Sequence, residues 1–233
     1  MPDKTEWMKL HEQMPDGGPI YTETNPMEFI AEPWNAVSSL AFLIPAIYWF
    51  WKCRHRFYEN SFLLSCCTLL AIGGLGSTFY HAFRKFPFLL MMDVLPIIVL
   101  TLLVSIYFWL KILSKWWLLL PIIVPAIWLR YWAMMQLPAH DGINLGYFIS
   151  GTLIFLPLLF LLIRTKFLKW YDILLALSFL GLALFFRKID AWYPPLLSIG
   201  THWLWHLLCA AGAFYLGKYI YDLENADKTI AQI

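Results

Sequence analysis

Apolar stretches of about 20 residues recur from Pro33 to Ile220, and each is long enough to cross the hydrocarbon core of a bilayer as a helix. Of the 233 residues, 61% are hydrophobic and 14% are charged, whereas a soluble domain usually carries about a quarter charged residues. That leaves too little polar surface to cover a water-soluble particle of this size. The 13 Trp and 12 Tyr suit a protein with an aromatic belt at each membrane interface. The expected fold is all-α, a polytopic membrane protein built as a bundle of seven transmembrane helices.

The pattern places the spans at Pro33 to Phe50, Ser61 to Phe83, Phe86 to Leu110, Trp116 to Gln136, Leu145 to Ile163, Trp170 to Phe186 and Leu196 to Ile220. The fourth carries Pro121, Pro125 and Arg130. The connections are short and no repeat is visible, so the expected organisation is a polar N-terminal segment (1–32), one transmembrane domain (33–221) and a short tail (222–233). The apolar run starts only after the polar first segment, which predicts no cleavable signal peptide and a first helix that serves as its own targeting signal.

The net charge of +2 and the lack of a basic block argue against nucleic acid as a partner. Cys53, Cys66, Cys67 and Cys209 form no CxxC pair and are read as small apolar helix residues. With seven spans, ten Lys and Arg fall on the side that holds Lys52, Arg54 and Arg56, and seven on the side that holds Arg84 and Lys85. The excess predicts the first side to be cytoplasmic, with the N-terminus outside and the C-terminus in the cytoplasm. Short loops and tails favour a bacterial inner membrane, with the site facing the periplasm, over the endoplasmic reticulum or Golgi.

Ionisable groups inside membrane spans are costly and tend to mark function. Here they cluster. Ser77 and His81 end the second span in GSTFYHAF, Asp93 lies early in the third in MMDVLPI, and His202 and His206 lie early in the seventh in THWLWHLL. The topology puts all five at one depth. Ser77 and His81 are four residues apart, as are His202 and His206, and residues at that spacing share a helix face. Two histidines so placed can reach one metal, and a third from another helix completes a three-histidine site. Three neutral nitrogens with an open position are the arrangement of catalytic zinc, which lowers the pKa of a water toward about 7. Asp93 is a candidate general base or a partner that orients a histidine, and Ser77 a candidate donor to an oxyanion. His11, His55 and His140 are read as solvated, and Arg187, Lys188 and Asp190 as an interfacial charge cluster that can also line the entrance to the site.

These motifs, with AEPWNAVSS entering the first helix, resemble the alkaline ceramidase family, within the superfamily of seven-helix membrane hydrolases that includes the progestin and adiponectin receptors. Glu32, Asn35 and Ser38 point to the ceramidase branch. The resemblance implies zinc on His81, His202 and His206, with Ser77 and Asp93 as catalytic partners. It implies hydrolysis of the ceramide amide to sphingosine and a fatty acid, with the lipid and the membrane as partners. It also implies calcium on Glu23, Asn25 and Glu32, hard oxygen ligands of the right kind. The sequence departs from the family pattern at Ile20, Tyr21 and Val94, and the gap from Asn25 to Glu32 is short. Two other readings stay open: a receptor-like member with a structural zinc or slow turnover, and a transporter or structural bundle with a buried polar cluster. Oligomeric state and acyl-chain preference are not legible.

Overall fold

Proline and glycine punctuate seven helices in the computed structural model, which describes residues 15–231 apart from 138, 191 and 193. Lys4, Lys9 and His11, and the side chains of His140 and Lys228, lie outside the described residues. Helix α1 spans Pro33–Cys53 and tightens to a 3-10 turn at Leu40–Phe42. It is followed by α2 (Ser61–Phe83), α3 (Pro87–Ile112), α4 (Leu120–Gln136), α5 (Ala139–Arg164), α6 (Trp170–Ile189) and α7 (His202–Ala231). Proline occupies the first turns of α1, α3 and α4, where its missing N–H costs nothing. No strand occurs among the described residues.

The helices run up and down, and their contacts order them as a closed ring, α1–α2–α3–α5–α6–α7 and back to α1. Helix α4 stands outside the ring against α5. Its Val124, Ile127, Trp128 and Tyr131 are exposed, the surface expected of a helix that faces lipid. Glycines bring α2 close to its neighbours. A Cβ on Gly76 would lie 2.1 Å from the Met92 carbonyl oxygen of α3, and one on Gly74 would lie 2.8 Å from Phe42 of α1.

Five helices are long and apolar enough to cross a membrane: Pro33–Cys53, Tyr58–Phe83, Pro87–Ile112, Trp116–Gln136 and Asp141–Arg164. The last two, α6 and α7, carry more charge and make the most extensive pairing in the bundle. Their charges are paired there, with Lys218 Nζ 2.7 Å from Asp172 and 3.1 Å from Asp222.

The seventh helix differs from the expected Leu196 to Ile220. Pro194 and Pro195 precede it, Gly200 takes a left-handed φ of 71°, and the helix begins only at His202. At its other end it continues to Ala231, through residues expected to form a tail. Helix α5 likewise starts at Ala139 instead of Leu145.

The interior divides along the bundle axis. Trp49, Leu63, Phe108, Leu158, Tyr219 and Leu223 pack one end as an apolar core. The opposite end buries Glu32, Asn35, Ser39, Ser77, His81, Arg84, His202 and His206.

Candidate metal centre

The up-and-down order brings the start of α1, the end of α2, the start of α3, the end of α6 and the start of α7 to that polar end. His81 projects from the last turns of α2, and His202 and His206 from the first turns of α7. All three are at most 2% exposed. Their ring centroids are 5.3 Å apart for His81–His202, 5.0 Å for His81–His206 and 4.7 Å for His202–His206. One ring nitrogen from each lies within 4.8 Å of the other two. Among the described residues no second group of three His, Cys, Asp or Glu comes together in this way.

The Nδ1 atoms are engaged. His81 Nδ1 bonds Glu32 Oε2. His206 Nδ1 lies 2.8 Å from Ser38 Oγ and 3.2 Å from Ser39 Oγ. Ser38 Oγ already donates to the Asn35 carbonyl and so can accept from the ring. For these two histidines Nε2 is left as the bare nitrogen, and a carboxylate or hydroxyl on the far side fixes the tautomer and the orientation of the ring. His202 Nδ1 faces Arg187 Nη1 at 3.4 Å, and the Tyr21 ring stacks on His202 with centroids 3.7 Å apart. A guanidinium only donates, so the Arg187 contact makes His202 Nδ1 an acceptor, and the oxygen-held far side belongs to His81 and His206 alone. Three buried imidazoles gathered at one place suit a zinc ion.

Glu32, Asn35 and Ser38 gain a physical role from this geometry. They form a layer behind the three histidines. Asn35 Nδ2 donates to Glu32 Oε2 at 3.1 Å, and Thr24 Oγ1 donates to Glu32 Oε1 at 2.5 Å. Burial pushes the Glu32 carboxyl up, but His81 and Arg84 outweigh it and hold the group at about 2.

Ser77 is buried one turn before His81, with Oγ 3.0 Å from Ser39 Oγ. Asp93 faces Ser77 and His81. Both Ser77 and Asp93 line the mouth of a cavity of about 560 Å³, together with His202, His206 and Arg187. From there the cavity runs between the helices past Ile97, Val104 and Ala213 to Leu63 and Ile220. Fourteen residues separate Ser77 from Leu63 on α2, a depth of about 21 Å at 1.5 Å per residue.

The expected interfacial cluster is corrected at two of its three members. Arg187 and Asp190 are 3% exposed. The Arg187 guanidinium lies over the faces of Tyr21, Tyr147 and Trp205 and donates from Nε to Asn144 at 2.9 Å. Asp190 accepts the backbone N–H groups of Thr201 and His202 and so caps α7 just where its metal-facing histidines begin. Arg187 also lines the cavity, in keeping with the other expectation for these residues, that they border the site. Only Lys188 is exposed, paired with Asp141 at 2.6 Å. His55 is exposed as expected.

The side-chain oxygens of Glu23, Asn25 and Glu32 are already engaged by hydrogen-bond donors. The Glu23 oxygens accept the N–H groups of Trp34 and Asn35 at 2.6 and 2.9 Å, which caps α1. Asn25 Oδ1 accepts Met27 N–H. Both oxygens of Glu32 hold N–H or O–H donors, and Arg84 Nη1 is one of them. This donor set does not fit calcium. Arg84, Asp16 and Tyr21 are the site residues that sequence reasoning overlooked.

A family model described as Ceramidase matches residues 25–230. No curated protein matches the chain.

Proposed function

The chain belongs to the ceramidase family, and from that premise we propose that it is a zinc-dependent amidohydrolase of the membrane, cleaving ceramide or a close lipid amide to a long-chain base and a fatty acid. The observation that carries this reading is the meeting of His81, His202 and His206 at the head of an apolar cavity. Zinc held by these three residues supplies Lewis acidity and makes water nucleophilic at neutral pH.

The chain's own groups divide the remaining work. Glu32 and Ser38 hold the His81 and His206 rings through Nδ1. Asp93 faces the site from α3 and is placed to take a proton from the attacking water and to deliver one to the departing amine. The Ser77 hydroxyl, on the same face as His81, is placed to donate to the oxygen that gathers charge as the amide carbonyl is attacked. Addition of water and loss of the amine break the C–N bond and leave a carboxylate and an amine. The long cavity receives the acyl chain while its polar mouth meets the amide.

An amide that lies near headgroup level is met by a site at one end of the bundle, so the lipid need not leave the bilayer. The excess of basic residues at the opposite end supports an N-terminus and a site that face away from the cytoplasm, and the short loops favour a bacterial inner membrane. Purified protein is expected to release fatty acid from ceramide, to carry about one zinc per chain, and to lose turnover in His81→Ala. Unchanged turnover in a His202→Ala/His206→Ala double variant rejects the enzymatic reading. Stoichiometric zinc without turnover on any lipid amide points instead to the receptor-like alternative.

A further inference from the structure

Arg84 is the largest fully buried side chain in the bundle, and it sits three residues after His81. Its backbone is left-handed, with φ 46°, at a helix end where glycine is the usual occupant. A non-glycine residue is held there at a conformational cost. The anchors are specific. Nε donates to Asp16 Oδ2 at 2.5 Å, Nη2 to Asp16 Oδ1 at 3.2 Å and to the Pro19 carbonyl at 3.0 Å, and Nη1 to Glu32 Oε1. The guanidinium also covers the Tyr80 ring at 4.7 Å. It therefore grips the segment before α1 with one edge and the Glu32 carboxylate with the other, and Glu32 passes the constraint to His81 Nδ1.

We propose that Arg84 does here the work of a bound cation: it neutralises and fixes Asp16 and Glu32, holds the segment 16–19 against the site and orients His81, so the protein assembles and works without calcium. A divalent ion brought to Glu32 would meet a guanidinium already seated there, and at close range in a water-poor interior that repulsion is strong. Glu23 and Asn25 offer no compensating cluster, since their oxygens cap backbone N–H groups. Arg84 is thus a positioning residue. The turnover part of this inference rests on the amidohydrolase reading; the calcium and stability parts do not.

The test uses the full zinc-loaded chain in detergent, in calcium-free buffer and in buffer titrated to millimolar calcium, the weak end of protein calcium sites. For the unaltered protein, the expected result is no bound calcium by metal analysis and no change in unfolding temperature or turnover when calcium is added. Arg84→Lys is expected to keep part of the turnover without calcium. Arg84→Leu is expected to unfold at lower temperature, to lose at least about tenfold in turnover and to become calcium-responsive, because two buried carboxylates are left without a counter-charge. Stoichiometric calcium in the unaltered protein, or a calcium-dependent rise in its unfolding temperature, overturns the proposal, and so does an Arg84→Leu variant with full stability and turnover. The calcium titration of the unaltered protein decides the matter even if Arg84→Leu fails to fold. Absence of ceramide hydrolysis in every sample would count against the proposed activity and leave the unfolding result standing.

Discussion

A histidine binds metal well only when its far nitrogen is held, and here those holds are Glu32 for His81 and Ser38 with Ser39 for His206. Losing such a partner typically costs about 10- to 100-fold in metal affinity or activity. Glu32→Gln is therefore expected to lower zinc affinity and turnover within that range, read by metal analysis after dialysis against a graded zinc buffer. Ser38→Ala is expected to cost less, because Ser39 Oγ remains at 3.2 Å. Equal losses in the two variants would show that the carboxylate has no special role. At this scale the histidines, Ser77 and Asp93 were legible because costly polar residues recurred at i,i+4 spacing and at one depth. Arg84 was not. In a sequence it is one more basic residue after a span, and neither its left-handed φ nor its two carboxylate partners leave a mark on neighbouring letters. The burial of Arg187 and Asp190 was illegible for the same reason, since burial of a charge depends on partners far away in the chain.

Most helix boundaries came out of apolar run length within a few residues; the start of α5 and both ends of α7 did not. The start of α7 is set by Asp190, which accepts the N–H groups of Thr201 and His202 from the end of α6. Asp190→Ala is expected to cost about 1 kcal/mol as a lost cap and to reduce zinc occupancy as well, because the first turn it fixes contains His202. A variant that loses stability and retains full zinc would confine Asp190 to a structural role. The α2–α3 contact makes a sharper demand. At Gly76 a methyl group would meet the Met92 carbonyl at 2.1 Å, so Gly76→Ala has to push apart the two helices that carry Ser77 and Asp93. Overpacking of this kind typically costs about 1–3 kcal/mol, and thermal unfolding together with ceramide turnover would both report it.

For the whole molecule, on the proposed reading, the apolar cavity makes the helical bundle a container for a lipid chain. Ala213 lines it two turns of α7 beyond His206, a depth of about 10 Å at 1.5 Å per residue. Ala213→Trp is expected to suppress hydrolysis of long-chain amides while sparing short-chain ones, measured as the ratio of turnover on the two substrates. An unchanged ratio would mean that the acyl chain lies elsewhere. The number of helices was readable from span length, but the ring order was not. Nothing in the sequence said that α4 would stand outside and leave α3 to pack on α5.

That ring shuts only when α7 reaches α1 and α2. His81 comes early in the chain, and His202 and His206 lie on α7, more than a hundred residues further on. A chain halted anywhere before α7 has one histidine of three and nothing to coordinate with. On the proposed reading, hydrolytic power arrives all at once with α7, and a polypeptide that stops short of it is harmless to the lipids around it.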